Sequence, residues 1–218
     1  TVIVSFTDYQ GVGLPAWNRW DNFQRVATTP LVRLSLYNTI LFMALAVPLR
    51  LLGALLLSLF LQRRRRGAGL YRAAAYLPTV IPEAAYALIW LWILNPVYGP
   101  LNLLLSSLGL PAPDWLGAAA PARWSIVLMA AFQLGEGFIV LLAALQTVPR
   151  ELYEAAAVDG ANRWQSFRRI TLPLLAPWLF LLTFRDLLVS LQNTFTPSFV
   201  LGYGGPYYAT TFLPLLIY

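Results

Sequence analysis

Hydrophobic and polar positions alternate along this chain in long blocks rather than in the short period of a strand. Four apolar runs are each close to the roughly 20 residues that an α-helix needs to cross about 30 Å of hydrocarbon. They span Leu34 to Leu61, Ala73 to Leu94, Trp124 to Gln146 and Leu174 to Leu201. A further run begins near Ala209 and continues to Tyr218. In lipid only helices and closed barrels satisfy the backbone, and these runs lack the alternation of barrel strands. The expected fold class is therefore all-α, a single polytopic helical membrane domain over residues 1–218.

The polar blocks carry their own punctuation. Residues 1–33 mix Asp8, Arg19, Asp21 and Arg25 with aromatics, Gly and Pro, which predicts an extramembrane loop with one amphipathic turn. The segment from Asn95 to Ala122 is rich in Pro, Gly, Leu and Trp and predicts a short re-entrant or interfacial scoop. Between the third and fourth runs, Pro149 suits the start of a helix to Val158, and Asp159-Gly160 stops it, since glycine accepts the left-handed conformation. Asn162 with Gln165 three residues on reads as a reciprocal cap of a second helix. Thr171-Leu172-Pro173 is expected to close that helix and open the fourth run. The segment 147–173 is thus a helix–turn–helix between two spans.

Composition and charge sharpen this picture. Hydrophobic residues make up 59% and charged residues 11% of the chain, against about 25% charged in a soluble domain, and mean hydropathy is +0.64. The net charge of +6 comes wholly from arginine. Gln62 to Arg72 carries five arginines and no acid, and the 147–173 loop carries Arg150, Arg163, Arg168 and Arg169. The intervening loops are nearly free of them. By the positive-inside rule the two basic loops are expected to be cytoplasmic. The basic balance then reflects topology rather than nucleic-acid binding, and Arg63–Arg66 reads as an anchor at a helix end that also touches lipid headgroups.

There is no cysteine and no histidine, which excludes disulfides, thiol nucleophiles, imidazole bases and hydrolytic triads built on them. No Gx4GK[ST] phosphate loop is present, so ATP hydrolysis by that route belongs to another polypeptide. No catalytic or metal-ligating set is expected. Intramembrane polar residues are the remaining chemistry, because they are costly in lipid and face a cavity or a partner. Gln133 and Glu136 are three apart on the third run and so share a helix face, with Gly135 and Gly137 allowing close approach. Ser190, Asn193 and Thr194 form the polar section of the fourth run, above Arg185-Asp186. Hydroxyls, amides and a carboxylate beside Phe132, Phe138 and Phe195 suit a sugar or polyol path. Interhelical hydrogen bonding that only holds the bundle together is the other reading of the same residues. Glu83, after Pro82, is open between a protonated, a paired and a cavity-facing state, and Arg185-Asp186 between a local ion pair and a bond to a partner subunit. An ion- or proton-coupled transporter using Glu83, Glu136 and Asp186 is the alternative function.

Glu154-Ala155-Ala156, three residues, Gly160, nine residues, Ile170, one residue, then Leu172-Pro173 resembles the EAA loop of ABC-importer permeases. The flanking residues are most similar to the sugar-importing branch, of the maltose and glycerol-3-phosphate type. That resemblance implies a MetI-like permease core in a bacterial or archaeal cytoplasmic membrane. It implies a cytoplasmic ATPase dimer carrying ATP and Mg, a second homologous permease subunit and an extracytoplasmic sugar-binding protein. This chain itself would bind no cofactor. Glu154 would be a polar contact to the ATPase, Ala155 and Ala156 small residues that let the helix seat closely, and Asp159-Gly160 the turn. Trp164, Phe167 and Ile170 would seat the second helix, which ends at Pro173. Two further expectations follow from the resemblance: that one span precedes Thr1, and that the run at Tyr218 continues beyond it.

Overall fold

The computed structural model describes residues 2–9, 13, 16–62 and 67–218; the Arg63–Arg66 anchor lies outside them. Residues near the N-terminus fold as a small cap. Two short strands, β1 (Thr7–Asp8) and β2 (Ala16–Trp17), pair antiparallel with Thr7 opposite Trp17. Helix α1 (Asp21–Thr28) follows, its Asp21 in the first turn where it complements the helix dipole. Asn22 ties the two together by donating to the carbonyls of Ser5 and Thr7 at 2.9 and 3.0 Å. Phe6 packs among Trp17, Trp20 and Phe23. The expected amphipathic turn is thus a helix of two turns clamped to a pair of short strands.

Helix α2 (Pro30–Leu61) is the mast of the molecule. Pro30 starts it with φ preset and no N–H to leave unpaired. Its 32 residues extend about 48 Å, enough to cross a bilayer with length to spare. Pro48 is carried inside it.

The three remaining runs depart from the continuous spans expected. The second is two helices, α3 (Ala68–Val80) and α4 (Glu83–Ile93), bent by 102°. Pro82 causes the break: it has no N–H to donate, and it forces Ile81 into an extended conformation, φ −68° and ψ 130°. After a short helix α5 (Pro100–Ser107), the third run is α6 (Ala119–Phe132) and α7 (Gly135–Thr147), bent by 41° at Gln133-Leu134. Helix α8 (Arg150–Val158) and a single turn α9 (Arg163–Ser166) follow. A π-helical turn at Phe167–Thr171 then passes without interruption into α10 (Leu172–Gln192). The fourth run ends at Gln192, and a separate helix α11 (Phe195–Gly202) follows Asn193-Thr194. The last run is the short α12 (Leu213–Ile217). Helix α2 and the 30-residue helix Arg163–Gln192 are long and apolar enough to cross a membrane, and each bent pair qualifies when taken as one span.

Helix α2 packs against α6, α7, α10 and α12. One core forms where Phe42 and Ala46 of α2 meet Tyr86 and Trp90 of α4 and Ile126 and Met129 of α6. A second surrounds Ala54, Phe138, Leu141 and Leu182. The Tyr86 hydroxyl, buried in the first core, donates to the Met129 carbonyl at 2.9 Å. Asn38 on α2 donates to the carbonyls of Tyr208 and Thr211 at 2.9 and 3.1 Å, which docks the C-terminal segment on the mast. The segment 95–118 folds back on itself around buried Asn102. That side chain donates to the carbonyls of Pro96 and Pro113 and accepts from Trp115 Nε1 at 2.7 Å. Large apolar side chains stay outside, with Phe180 77% and Phe184 61% exposed on α10, as lipid-facing positions would be.

Candidate substrate cavity and coupling loop

The three helix breaks converge. Thr79, Ile81 and Glu83 come from the α3/α4 break, Gln133 and Glu136 from the α6/α7 break, and Asn193, Thr194 and Pro197 from the α10/α11 break. With Ser190, Arg185, and Phe42 and Arg50 of α2 they surround one cavity of about 200 Å3. Irregular backbone at membrane depth is tolerated where it is buried in protein or lines an aqueous cavity, and here it lines one. All five residues taken from the sequence as a polar path (Gln133, Glu136, Ser190, Asn193 and Thr194) face this space. Their convergence does not come from helical spacing, however. Gln133 ends α6 with φ −87° and ψ 52°, and Glu136 sits in the first turn of α7.

The aromatic expectation is corrected. Phe138 is fully buried in the second core, Phe132 stacks edge-on with Trp90, and Phe195 packs on Phe199 and Tyr218. None of the three lines the cavity; the ring that does is Phe42. Gly135 does have the close-approach role expected of it. A Cβ there would meet the Thr79 hydroxyl and lie 3.0 Å from Tyr76 Cα, so α3 rests directly on the α7 backbone.

Charge is organised across three helices. Asp186 on α10, 3% exposed, accepts from Arg185 Nη1 at 2.9 Å and lies 3.7 Å from Arg50 Nη1. Arg185 also pairs with Glu136 on α7. Arg50 Nε donates at 3.1 Å to the Ala130 carbonyl near the C-terminal end of α6, which also accepts from the Gln133 N–H. The quartet therefore staples the α6/α7 break from both sides, and Arg185-Asp186 is an ion pair within the chain. Arg50 and Thr79 are polar cavity residues that sequence reading passed over; for Arg50 an arginine in the middle of an apolar run was the available signal. Glu83 lines the cavity too, with Thr196 beside it.

The 147–173 segment projects from the other end of α10. Pro149 is the N-cap residue of α8, and Asp159 ends it. Gly160 takes φ +74°. Its N–H bonds the Ala157 carbonyl at 3.1 Å while Ala161 N–H bonds that of Ala156 at 2.8 Å. Those paired bonds satisfy the last carbonyls of the helix, and they require a residue at ease in the left-handed region. Asn162 and Gln165 make both bonds of the reciprocal cap, at 2.9 and 2.8 Å. Thr171-Leu172-Pro173 does not close the second helix. Pro173 cannot donate to Arg169, and the wide turn just before it, with Leu172 N–H on Phe167 O, absorbs that loss. The Tyr153 hydroxyl bonds the Thr171 hydroxyl at 2.8 Å and ties α8 to the base of α10.

Glu154, Ala155, Asp159, Gly160, Trp164 and Pro173 are exposed, while Ala156, Phe167 and Ile170 are half-buried. Trp164 stacks on Phe167 at 5.5 Å but leaves 66% of its surface open. Val158 at 89% exposure adds to this uncovered apolar face. Asn162→Ala removes one bond of the cap and should cost about 1 kcal/mol locally. Hydrogen exchange should show faster exchange at residues 163–166 and unchanged protection in α2.

Comparison with known proteins fits this architecture. Residues 46–218 match the family of binding-protein-dependent transport system inner membrane components. The chain is 34% identical to the probable ABC transporter permease protein YesP of Bacillus subtilis, covering all of this chain and 72% of that one. It is 35% identical to the trehalose/maltose transport system permease protein MalF of Thermococcus litoralis, over 90% of this chain and 67% of the relative. With the sn-glycerol-3-phosphate transport system permease protein UgpA of Yersinia enterocolitica it shares 34% identity, covering 62% of that protein. A crystal structure of a bacterial ABC transporter that imports the acidic polysaccharide alginate contains a similar chain, with TM-score 0.77 and 25% identity over all of this chain and 75% of that one. A second alginate transporter structure, in complex with an alginate pentasaccharide-bound periplasmic protein, matches at TM-score 0.71 and 26% identity. The polar cavity among broken helices, the helix–turn–helix between spans and these relatives converge: the chain is a multi-pass member of the binding-protein-dependent transport system inner membrane component family.

Proposed function

We propose that this chain is a permease subunit of an ATP-driven importer for sugars or related polyols. The observation that carries the reading is a mechanical one. A single 30-residue helix, Arg163–Gln192, runs from the exposed loop to the wall of a cavity lined by hydroxyls, amides and carboxylates. A push on the loop is thereby delivered to Arg185, Ser190 and the α10/α11 break, with no flexible joint between.

In this reading the 147–173 loop is cytoplasmic and docks in a cleft of a separate ATPase dimer, which holds ATP and Mg. A second permease subunit completes the core, and an extracytoplasmic binding protein delivers the sugar. Glu154 and the small Ala155 and Ala156 face the ATPase, and exposed Trp164 and Val158 supply apolar contact. Closure of the dimer rocks α8 and α10 together through the Tyr153–Thr171 bond. The cavity then changes the side from which it is open. Names of the relatives support a carbohydrate or polyol cargo. The ion- or proton-coupled alternative finds no support among them, and two of its three carboxylates, Glu136 and Asp186, are held by arginines.

Co-purification of the chain with its ATPase tests the proposal. Glu154→Lys should weaken association, and Gly160→Pro, which forbids φ +74°, should abolish substrate-stimulated ATP hydrolysis. Intact association and stimulation in both variants would overturn the coupling role.

A further inference from the structure

Three hydroxyls around the cavity have no hydrogen-bond partner among the described residues: those of Thr79, Ser190 and Thr194. Ser190 is 3% and Thr194 1% exposed. Buried hydroxyls without partners are costly, and a native structure keeps few of them. These three come from separate helix segments whose residues line the same space, and their oxygens are covered there, so they become partners for a hydroxyl-rich ligand only when the helix breaks shift.

The charges around them decide what kind of hydroxylated ligand fits. Five charged residues line or brace the cavity: Arg50, Arg185, Glu136, Asp186 and Glu83. The first four close on themselves in ion pairs, two cations against two anions. Neither arginine is left over for an incoming anion. Arg50 is also committed to the Ala130 carbonyl, and taking Arg185 would strip Glu136 of its partner. Glu83 has no ion-pair partner among the described residues, and its one neighbour of note is the Thr196 hydroxyl. The position of Glu83 in the first turn of α4 accounts for its being tolerated there, but not for its lining a polar cavity.

We infer that Glu83 is the specificity-determining acceptor of this cavity, taking two neighbouring hydroxyls of an uncharged saccharide or polyol while excluding phosphorylated and uronic sugars. An ionised carboxylate accepts through both oxygens and donates nothing, so it pairs well with a vicinal diol. A second negative charge brought beside the ionised carboxylate is repelled more strongly between protein walls than in bulk water. The inference rests on the cavity being the substrate path, and it goes further by assigning the charge class of the cargo.

The test uses the whole importer, this chain with its partner permease and ATPase, in nanodiscs without binding protein. Equilibrium binding is measured for radiolabelled maltose, trehalose, glucuronate and glycerol 3-phosphate, on wild type, Glu83→Gln and Glu83→Asp. Wild type should bind a neutral member of the set and neither anion. Glu83→Gln should weaken the neutral ligand about tenfold, the loss expected for hydrogen bonds to a charged group, and narrow the gap to the anions. Glu83→Asp keeps the charge and should keep the exclusion. The neutral-to-anionic ratio is internal to each preparation, so reduced yield of a variant does not affect it. Anions binding as well as neutral sugars in wild type, or a ratio unmoved by Glu83→Gln, would overturn the inference and leave the substrate path standing. Binding of no member, by a complex whose ATPase still responds to loaded binding protein, would overturn the path reading and the inference with it.

Discussion

Asp186→Ala should destabilise the bundle by about 3–5 kcal/mol, the scale for removing one partner of a buried ion pair. The Asp186 side chain is only 4% exposed and sits between two guanidinium groups. Arg185 can fall back on Glu136. Arg50, with 12% of its side chain exposed, cannot; it is left with the Ala130 carbonyl and an uncompensated charge. A pair is weak evidence for stability, yet half a pair is a strong liability. The prediction is therefore asymmetric: Asp186→Ala should melt far below wild type in detergent, and the double variant Arg50→Met, Asp186→Leu should recover much of the loss. Equal melting of all three proteins would show that the quartet carries no such burden.

Gly135→Val should be the most damaging change at the α6/α7 break. The first carbon of any side chain there already meets the Thr79 hydroxyl and the Tyr76 backbone, and backbone cannot step aside as a flexible side chain can. Alanine should cost about 1–3 kcal/mol by overpacking, and valine more. Moving α3 also moves Thr79, so sugar uptake should fall more steeply than protein yield. Gly137 provides the control two residues on. A Cβ there lies 3.5 Å from Ala54 Cβ, an ordinary contact, and Gly137→Ala should be nearly silent. Thermal melts and uptake in vesicles check both, and equal tolerance at 135 and 137 would refute the close-packing account.

Much of this molecule was legible one residue at a time. The turn of the loop at Gly160 and the reciprocal cap of Asn162 and Gln165 are local devices, each complete within about six residues, and both formed as their spacing predicts. Pro173 was misread as a stop because a proline also fits the beginning of a helix, and a π-helical turn had room for it. Pro82 was visible and its consequence was not. A proline inside an apolar run can kink a helix or break it, and only the packing of α3 on α7 and of α4 on α11 shows a 102° break.

The candidate site divides along the same line. The polar residues stood out because ionisable and amide groups are expensive in a run otherwise made of leucine and phenylalanine. Their companions did not. Arg50 joins Asp186 from 136 positions away in the chain, and no local pattern encodes that encounter. The aromatics Phe132, Phe138 and Phe195 were near in sequence and were assigned to the wrong neighbourhood, because a helix break rotates the residues beyond it away from their periodic face.

The sequence by itself determined the helical class, the apolar runs, the arginine asymmetry and the caps of the loop, since hydrophobicity and capping act over a few neighbouring residues. Only the tertiary structure decided that three interrupted helices meet, that their hydroxyl, amide and carboxylate residues line one space, and that one unbroken helix joins that space to the loop. Those outcomes depend on which backbone can approach which, and that is settled between distant segments: Gly135 beneath Thr79, Arg50 against Asp186.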